Sequence, residues 1–499
     1  MKKTVLMLLT FVLMASLAAG CAGGGNKEKV NNGSKESESN TGGKPVLREL
    51  VQYSRFDPNN DVVADFLEEA TGYEVKYDML PVENENEKLN LLMANQEPYD
   101  FMKINQVQFE QLAASGALEP LDDLLAQYAP NMTKKISEAS WNGVKLDGKI
   151  LAIPESGGIG VGQALVYRQD WLEELNLQEP TTIEELIHVL REVKDKKKVI
   201  PLSGGKDPFQ GEIGSAMGWQ YGLANQWKVE GDKVIHMVED PATVKYLTVM
   251  NELYNEGLLD PEWAINQSNI LIERFSSGQS FMYREGWWNA ANINNALEAN
   301  FPDAKIGILP PMKDEQGQAH GSASGGITSF TVIPKWAKNK EDAIKYLDLK
   351  LQDDIFIELA IGKEGVHHKV EDGKYFPILP IFDEQYGNAS AMLNGVDEEI
   401  YPTYWQARVR KNPFVQNYYE TYQNNAEGIT YYDALTFAPP IVEISKHKQK
   451  LMKLAEDEFI KFITGSEPLS NYDQFLAQWK ADGGDAMVKA ANEWFASVN

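Results

Sequence analysis

The first folded stretch of the chain alternates strand-like and helix-like patterns, and this alternation most limits the folds open to it. Val46 to Val51 is a short apolar run, apolar residues then recur at helical spacing from Val62 to Ala70, and Gly72 ends that helix. Glu74 to Leu80 alternates as a second strand, a second helix follows, and Tyr99 to Ile104 is a third strand. This order predicts parallel strands joined by right-handed crossovers, and therefore an α/β lobe.

In open α/β sheets, ligands bind beyond the carboxyl ends of the strands. Tyr53 and Arg55 follow the first predicted strand, and Asn105 follows the third. We therefore predict that these residues contribute to a ligand site on the first lobe. The alternative for each is an ordinary loop position without contact to a ligand.

A second α/β lobe is predicted further along the chain. Residues 157–162 contain four glycines, which favour a chain crossing or a ligand wall. Their spacing does not match a dinucleotide-binding fingerprint. Thr182 and Glu185 form a capping box that opens a helix with one apolar face, and another helix follows Pro241.

The chain begins with the pattern of a secretion signal. Lys2 and Lys3 precede an uncharged apolar stretch from Val5 to Ala19, which is shorter than the roughly 20 residues that span a bilayer. Residues 1–20 are thus predicted to be a removable signal peptide. Cys21, the one cysteine of the chain, follows it.

The junction resembles a bacterial lipoprotein box, although Ala18 stands where leucine is usual. The resemblance implies that Cys21 is acylated, with 21–45 as a disordered tether of Gly, Asn, Ser, Lys and Glu. The protein would then be held on the outer face of the bacterial cytoplasmic membrane. The alternative is secretion with Cys21 as a free thiol, since a lone cysteine has no partner within the chain.

The charge of the chain argues against polyanionic partners. Its 73 acidic and 47 basic residues give a formal net charge of −26. Such a charge opposes binding to nucleic acid or to anionic lipid. It does not identify a ligand, because acidity also serves solubility alone.

Several segments, in their order along the chain, resemble one known family. They are Asp147-Gly148-Lys149, Ala152-Ile153-Pro154, Val166 to Leu172, Pro180-Thr181-Thr182, Tyr254 to Pro261, Gly278 to Met282, Gly286-Trp287, Phe462 to Gly465, Tyr472, Phe475 and Gly483-Gly484-Asp485. The family is that of the extracellular solute-binding lipoproteins of bacterial carbohydrate ABC importers, in the subgroup that takes large oligosaccharides.

The resemblance implies an α/β, two-lobed periplasmic-binding-protein-like fold of type II, with central sheets flanked by helices and a hinge between the lobes. Lobe 1 is expected to hold 46–157 and 312–368, and lobe 2 to hold 158–311 and 369–499. Chain crossings are expected near Gly157, near Pro310 and Pro311, and between Lys363 and Asp372. The implied partners are an oligosaccharide in the cleft and the permease subunits in the membrane, and the protein is expected to be a monomer.

The sequence departs from this family at one loop. Many relatives carry a calcium loop rich in Asp and Asn after the helix that begins near Thr182, but here residues 195–203 include three consecutive lysines. Calcium requires six to eight oxygen ligands. We therefore predict no calcium at this loop, and no other metal or cofactor.

Sugar rings have apolar faces and a rim of hydroxyl groups, so aromatic platforms and polar side chains mark candidate ligands. By resemblance, Trp287 matches the aromatic platform of sugar-binding relatives, and its replacement by alanine is predicted to weaken affinity at least tenfold. The other predicted ligand-binding residues are Trp288, Trp219, Tyr221, Tyr53, Arg55, Asn105, Glu155, Arg284, Tyr404 and Trp405. For Trp288, Tyr404 and Trp405 a core position is an equal alternative.

No complete catalytic constellation is recognisable in the sequence. Ala323 stands where a Gly-x-Ser-x-Gly elbow would place its nucleophile, there is no His-Glu-x-x-His, and His367-His368 lacks further ligands for zinc. The chain is therefore predicted not to be an enzyme. The alternative is a surface glycoside hydrolase or polysaccharide lyase with paired carboxylates, for which Glu155 is the first suspect.

Overall fold

The structure is a computed structural model that describes residues 43–54, 56–157, 160–205, 216–223, 225–323 and 325–498. The predicted signal peptide, Cys21, most of the predicted tether and Arg55 lie outside these ranges. All described helices and strands belong to one compact unit, Lys44–Asn499. Within the described ranges, no helix combines the length and apolar character needed to cross a membrane.

The strands are β1 (Leu47–Val51), β2 (Val75–Met79), β3 (Phe101–Ile104), β4 (Lys145–Leu146), β5 (Lys149–Ile150), β6 (Ile153–Ser156), β7 (Gln163–Arg168), β8 (Ile200–Leu202), β9 (Trp227–Glu230), β10 (Lys233–His236), β11 (Ser280–Gly286), β12 (Ile306–Ile308), β13 (Gly321–Ser322), β14 (Ile327–Val332), β15 (His368–Glu371), β16 (Lys374–Pro377) and β17 (Thr430–Tyr431).

The helices are α1 (Val62–Thr71), α2 (Glu85–Ala94), α3 (Gln106–Ala114), α4 (Asp122–Tyr128), α5 (Pro130–Lys135), α6 (Glu138–Asn142), α7 (Gln169–Glu174), α8 (Ile183–Lys197), α9 (Ala216–Trp219), α10 (Pro241–Asn255), α11 (Ser268–Ser276), α12 (Ala290–Asn300), α13 (Lys340–Leu349), α14 (Asp353–Ile361), α15 (Ile381–Tyr386), α16 (Tyr401–Val409), α17 (Pro413–Asn425), α18 (Val442–Thr464), α19 (Tyr472–Trp479) and α20 (Asp485–Val498).

The first sheet confirms the parallel pairing predicted from the alternating pattern. Among the described strands its order is β2, β1, β3, β14, β6, and β1 pairs in parallel with both β2 and β3. Helix α1 begins where the Asp61 side chain accepts the Val63 N–H, and it ends at Gly72, whose φ of 69° is left-handed. The α/β fold class predicted for this lobe is therefore confirmed.

The second sheet has the order β12, β7, β11, β8 among the described strands. Strand β7 is antiparallel to β11 and to β12, whereas β11 and β8 are parallel. Helix α8 starts at the predicted cap, where the Thr182 side chain accepts the Glu185 N–H. The second lobe is thus also α/β, but its sheet is mixed.

Three clusters of buried side chains are present in the described part of the chain. The first surrounds the first sheet and includes the stacked rings of Phe109 and Phe330, 4.5 Å apart. The second and largest surrounds the second sheet. The third joins Val63 and Leu67 of α1 to side chains between residues 355 and 407.

The third cluster indicates where the last second-lobe segment of the chain begins. The expected crossing at 363–372 is occupied by the first strand of a hairpin, β15 with β16, and Tyr375 of that hairpin packs against the third cluster. Ala407 still belongs to this cluster, whereas Val409 belongs to the cluster of the second sheet. We therefore propose residue 409, rather than 369, as the start of the last second-lobe segment.

The buried Lys103 side chain connects the third cluster to the first sheet. The Lys103 ammonium donates to Glu155 Oε2 and to the Leu393 carbonyl, each at 2.7 Å, and to the Ser390 carbonyl at 3.2 Å. Lys103 and Glu155 both have little exposure, so the pair is largely withdrawn from water. This pairing satisfies the buried charges and fixes residues 390–393 against the sheet.

His236 gives a testable pH dependence of stability. It is buried between the rings of Trp227 and Trp479, with centroids 4.8 and 4.9 Å away, and burial lowers its pKa from 6.5 to about 3. Below pH 6.5 the unfolded chain therefore binds a proton that the folded protein does not, and the free energy of unfolding falls. At pH 5.5 this single group should cost about 1.4 kcal/mol relative to neutral pH.

The measurement is urea unfolding of the wild type and of His236→Gln at pH 7.5 and 5.5. The glutamine variant should lose about 1.4 kcal/mol less on acidification than the wild type, because it has no group that titrates at this position. Equal losses in the two proteins would show that His236 does not carry the effect.

Candidate functional site

The chain segment 157–162 connects one edge of the first sheet to one edge of the second. Strand β14 starts beyond the carboxyl end of β3, with Phe330 opposite Ile104, and β6 ends at the same edge, with Ser156 opposite Ile327. In the second sheet, Gly286 at the end of β11 lies opposite Gln163 at the start of β7. Residues 157–162 join the two edges and can span at most about 25 Å. The loops that follow β1, β3 and β11 therefore emerge from edges that lie within about 25 Å of each other.

An aromatic group follows β11 directly. Trp288 is 51% exposed, and its ring lies on the backbone of Gly286, where a Cβ atom would come within 2.4 Å of Cε2 of the indole. One side of the ring is thus covered by backbone. The exposed half of the side chain supplies an aromatic surface of the kind that the apolar face of a sugar ring requires.

Trp287 supports this platform from the side. Its ring is half-buried against the second-lobe core and stands edge-on to Trp288, at 5.5 Å and 78°, and to Tyr419, at 5.3 Å and 85°. These are favourable edge-to-face geometries. Of the two adjacent tryptophans, Trp288 is therefore the more open, and Trp287 is the one held by neighbours on two sides.

A buried carboxylate fixes the turn that carries the tryptophans. Glu285 accepts hydrogen bonds from the hydroxyl of Tyr283 at 2.7 Å, from the Gly286 N–H at 2.7 Å and from the Asn289 amide at 3.0 Å. Burial, together with this carboxylate, raises the pKa of Tyr283 well above its ordinary value. The turn Trp287–Asn289 is consequently anchored at both ends.

Helix α17 links the aromatic group to the crossing. Tyr419 contacts Trp287, and one turn later Gln423 pairs with both backbone groups of Val161 at 3.0 Å. The Tyr422 hydroxyl donates to the Glu285 carbonyl at 3.0 Å. Sequence reasoning missed these residues, because they lie more than 130 positions from the strand that they support and form an ordinary helix.

Polar residues line the corresponding edge of the first sheet. Tyr53 is 55% exposed, and the neighbouring Ser54 accepts a hydrogen bond from the Asn388 amide at 2.6 Å. Asn105 caps α3, with its side chain accepting the Gln108 N–H at 3.0 Å, and also donates to Glu85 at 3.2 Å. Tyr53 is therefore free to reach a ligand, whereas Asn105 already has structural partners.

The remaining predicted residues occupy different environments. Trp219 is 3% exposed and Tyr404 is also buried, so both hold core positions. Tyr221 is half-buried, with its ring 6.2 Å from that of Tyr246, and Arg284 is half-buried in β11. Trp405 packs against both the second and the third cluster, which places it where the lobes adjoin.

The suspected catalytic carboxylate has a structural partner. Glu155 pairs with Lys103 at 2.7 Å, and His367 contacts Gln385 at 2.8 Å through Nε2. In the described part of the chain, no group of three His, Cys, Asp or Glu side chains is arranged to hold a metal ion. The predicted calcium-free loop, 195–203, begins within the last turn of α8, and Lys198, which caps the end of that helix, is in a left-handed conformation.

Comparison with known proteins shows extensive similarity. A family model described as bacterial extracellular solute-binding protein matches residues 61–366. An uncharacterized protein of the butB 5' region of Niallia circulans is 55% identical over 254 residues, which is 51% of this chain and 99% of that protein. The polygalacturonan/rhamnogalacturonan-binding protein YtcQ of Bacillus subtilis is 22% identical over 518 residues, 99% of each chain.

Solved structures share the fold. The ABC-transporter substrate binding protein FusA of S. pneumoniae, in complex with kestose, superposes with a TM-score of 0.67 at 17% identity. The match covers 91% of this chain and 99% of that one. This similarity supports the two-lobed architecture.

Proposed function

Since this chain belongs to the bacterial extracellular solute-binding protein family, we propose that it captures an oligosaccharide between its lobes and delivers it to the permease of an ABC importer. YtcQ and FusA carry saccharide-binding names and resemble the chain over nearly its whole length. FusA is also named an ABC-transporter substrate binding protein. These likenesses support the sugar and the importer as expectations for this chain.

The observation that carries the proposal is the platform at the end of β11. An indole that is half exposed and seated on Gly286 exposes apolar surface that soluble proteins otherwise tend to bury. The turn beneath it is fixed by Glu285, so the ring is preorganised and binding costs little ordering entropy. Such a surface suits the apolar face of a pyranose or furanose ring.

Delivery requires that occupancy change the conformation of the protein. A ligand favours the closed arrangement only to the extent that it contacts both lobes at once. The crossings at residues 157–162 and 309–326 would serve as hinges, since both connect the first sheet to the second. Lipid attachment at Cys21 and a monomeric state complete the proposal, and palmitate labelling of cells tests the anchor.

The test is isothermal titration calorimetry of the mature protein against neutral and acidic oligosaccharides, followed by chromatography of the recovered sugar. We expect saturable binding and recovery of the intact oligosaccharide. Release of shorter products would instead support the hydrolase or lyase alternative, and a control in which Glu155→Gln abolished that release would locate the chemistry. Absence of binding to every oligosaccharide would overturn the proposed function.

A further inference from the structure

A polar cavity of about 390 Å³ lies between elements of both sheets. Its first-lobe lining includes Gln106 and Glu110 of α3 and Ile327 at the start of β14. Its second-lobe lining includes Asn225 and Asp433. This volume falls within the range of about 300–1,000 Å³ that is usual for small-ligand pockets.

The acceptors in this cavity are held in place by the protein. Asp433 accepts the backbone N–H groups of Trp227 and Leu435, each at 2.9 Å, and burial raises the pKa of this carboxyl group. Glu110 accepts from the Gln106 amide at 3.0 Å and from the Ser445 hydroxyl at 2.9 Å. The second of these bonds joins helix α3 to helix α18.

The lining combines side-chain amides, carboxylates and the hydroxyl groups of Thr436 and Ser445. Amides donate and accept at once, and carboxylates accept from two directions, which is the complement of neighbouring sugar hydroxyls. Among the described lining residues, Lys448 carries the one positive charge, and Glu110 and Asp433 carry the two negative charges. A ligand carboxylate placed here would meet more like charge than opposite charge.

We propose that this interlobe cavity binds uncharged sugar units of the transported oligosaccharide, through Gln106, Glu110, Asn225 and Asp433, and excludes uronic acids. The proposal rests on the proposed function and names the substrate class. A sugar in this cavity contacts both lobes, because α3 belongs to the first and Asn225 and Asp433 lie in the second. It would therefore favour the closed arrangement directly.

The experiment begins with a thermal-shift screen of neutral oligosaccharides, kestose among them, and of trigalacturonate. The tightest neutral binder is then titrated by calorimetry into Glu110→Gln and Asp433→Asn, with Lys446→Gln as a control on an exposed position of α18. We expect each cavity variant to bind at least about tenfold more weakly. We also expect the Lys446→Gln control to stay within about twofold of the wild type, since this exposed side chain does not line the cavity.

The possible results distinguish failure of the cavity assignment from failure of the proposed transport function. Tight binding of trigalacturonate that Lys448→Gln abolishes would overturn the proposal, as would unchanged affinity in both cavity variants. If Trp288→Ala abolished binding while both cavity variants bound normally, the cavity assignment would fall and the transport function would stand. If no oligosaccharide bound the wild type, both would fall. Glu110→Gln keeps the test decisive should Asp433→Asn fold poorly, because Glu110 is on the surface side of α3.

Discussion

Replacement of Trp288 by alanine is expected to weaken oligosaccharide affinity by ten- to about a hundredfold, or about 1.4–2.7 kcal/mol. The indole is half exposed, is covered on one side by the Gly286 backbone and is steadied by the perpendicular ring of Trp287. Binding would cover its open side at little cost in side-chain entropy, since the ring is already held. Calorimetry of the wild type and the variant measures the effect.

Two companion variants separate stacking from general damage. Trp288→Phe keeps an aromatic face and should recover most of the lost affinity, whereas Gly286→Ala should lose affinity because its new Cβ collides with the indole. Trp494→Ala, on the last helix, serves as the control for removal of a tryptophan. If Trp288→Ala bound as tightly as this control, the platform would have no role in binding.

Trp287 also remains a predicted ligand-binding residue, but its replacement is expected to lower affinity partly through loss of packing. Because its ring lies between Trp288 and Tyr419, Trp287→Ala would release both neighbours as well as remove its own surface. The loss of at least tenfold predicted from the sequence is therefore expected to come with lower thermal stability. Trp288→Ala should leave the stability nearly unchanged, because the ring makes few buried contacts.

The sequence predicted the architecture better than the site because architecture depends on local patterns. The helix stop at Gly72 and the cap at Thr182 are each encoded within a few residues, and both are confirmed. The two adjacent tryptophans could not be assigned in this way. Their exposure depends on Gly286 below one ring and on Tyr419 beside the other.

The environments of Asp433 and Trp219 also could not be predicted from local sequence patterns. Asp433 reaches Trp227 across more than 200 residues, and no local signal marks that pairing. Trp219, between Gly218 and Gly222, is a ligand residue by the sequence prediction, yet the second-lobe core buries it. Periodicity identifies which segments are helices or strands, but the partner of a side chain depends on how distant elements pack.

The largest effect on stability is expected from Lys350, which is fully buried. Its ammonium donates to the Met392 carbonyl at 2.5 Å and to the Asn394 side chain, and the Asn394 amide donates to Glu49 at 2.8 Å. Burial lowers the pKa of Lys350 to about 8 and raises that of Glu49. Each of these two charges therefore stabilises the other in its buried position.

Lys350→Met should lower the free energy of unfolding by about 3–5 kcal/mol, because it leaves Glu49 buried without its counter-charge. Adding Glu49→Gln should restore much of that loss, since the double variant removes both charges of this buried pair. Lys345→Ala on α13, the helix that Lys350 caps, is exposed and 3.8 Å from Glu341 and should cost less than about 0.5 kcal/mol. Urea unfolding compares the four proteins, and equal costs for Lys350→Met and Lys345→Ala would contradict the argument. Because residues 388–394 also supply the Asn388 amide to Ser54, Lys350→Met should in addition loosen the first-lobe edge of the ligand site.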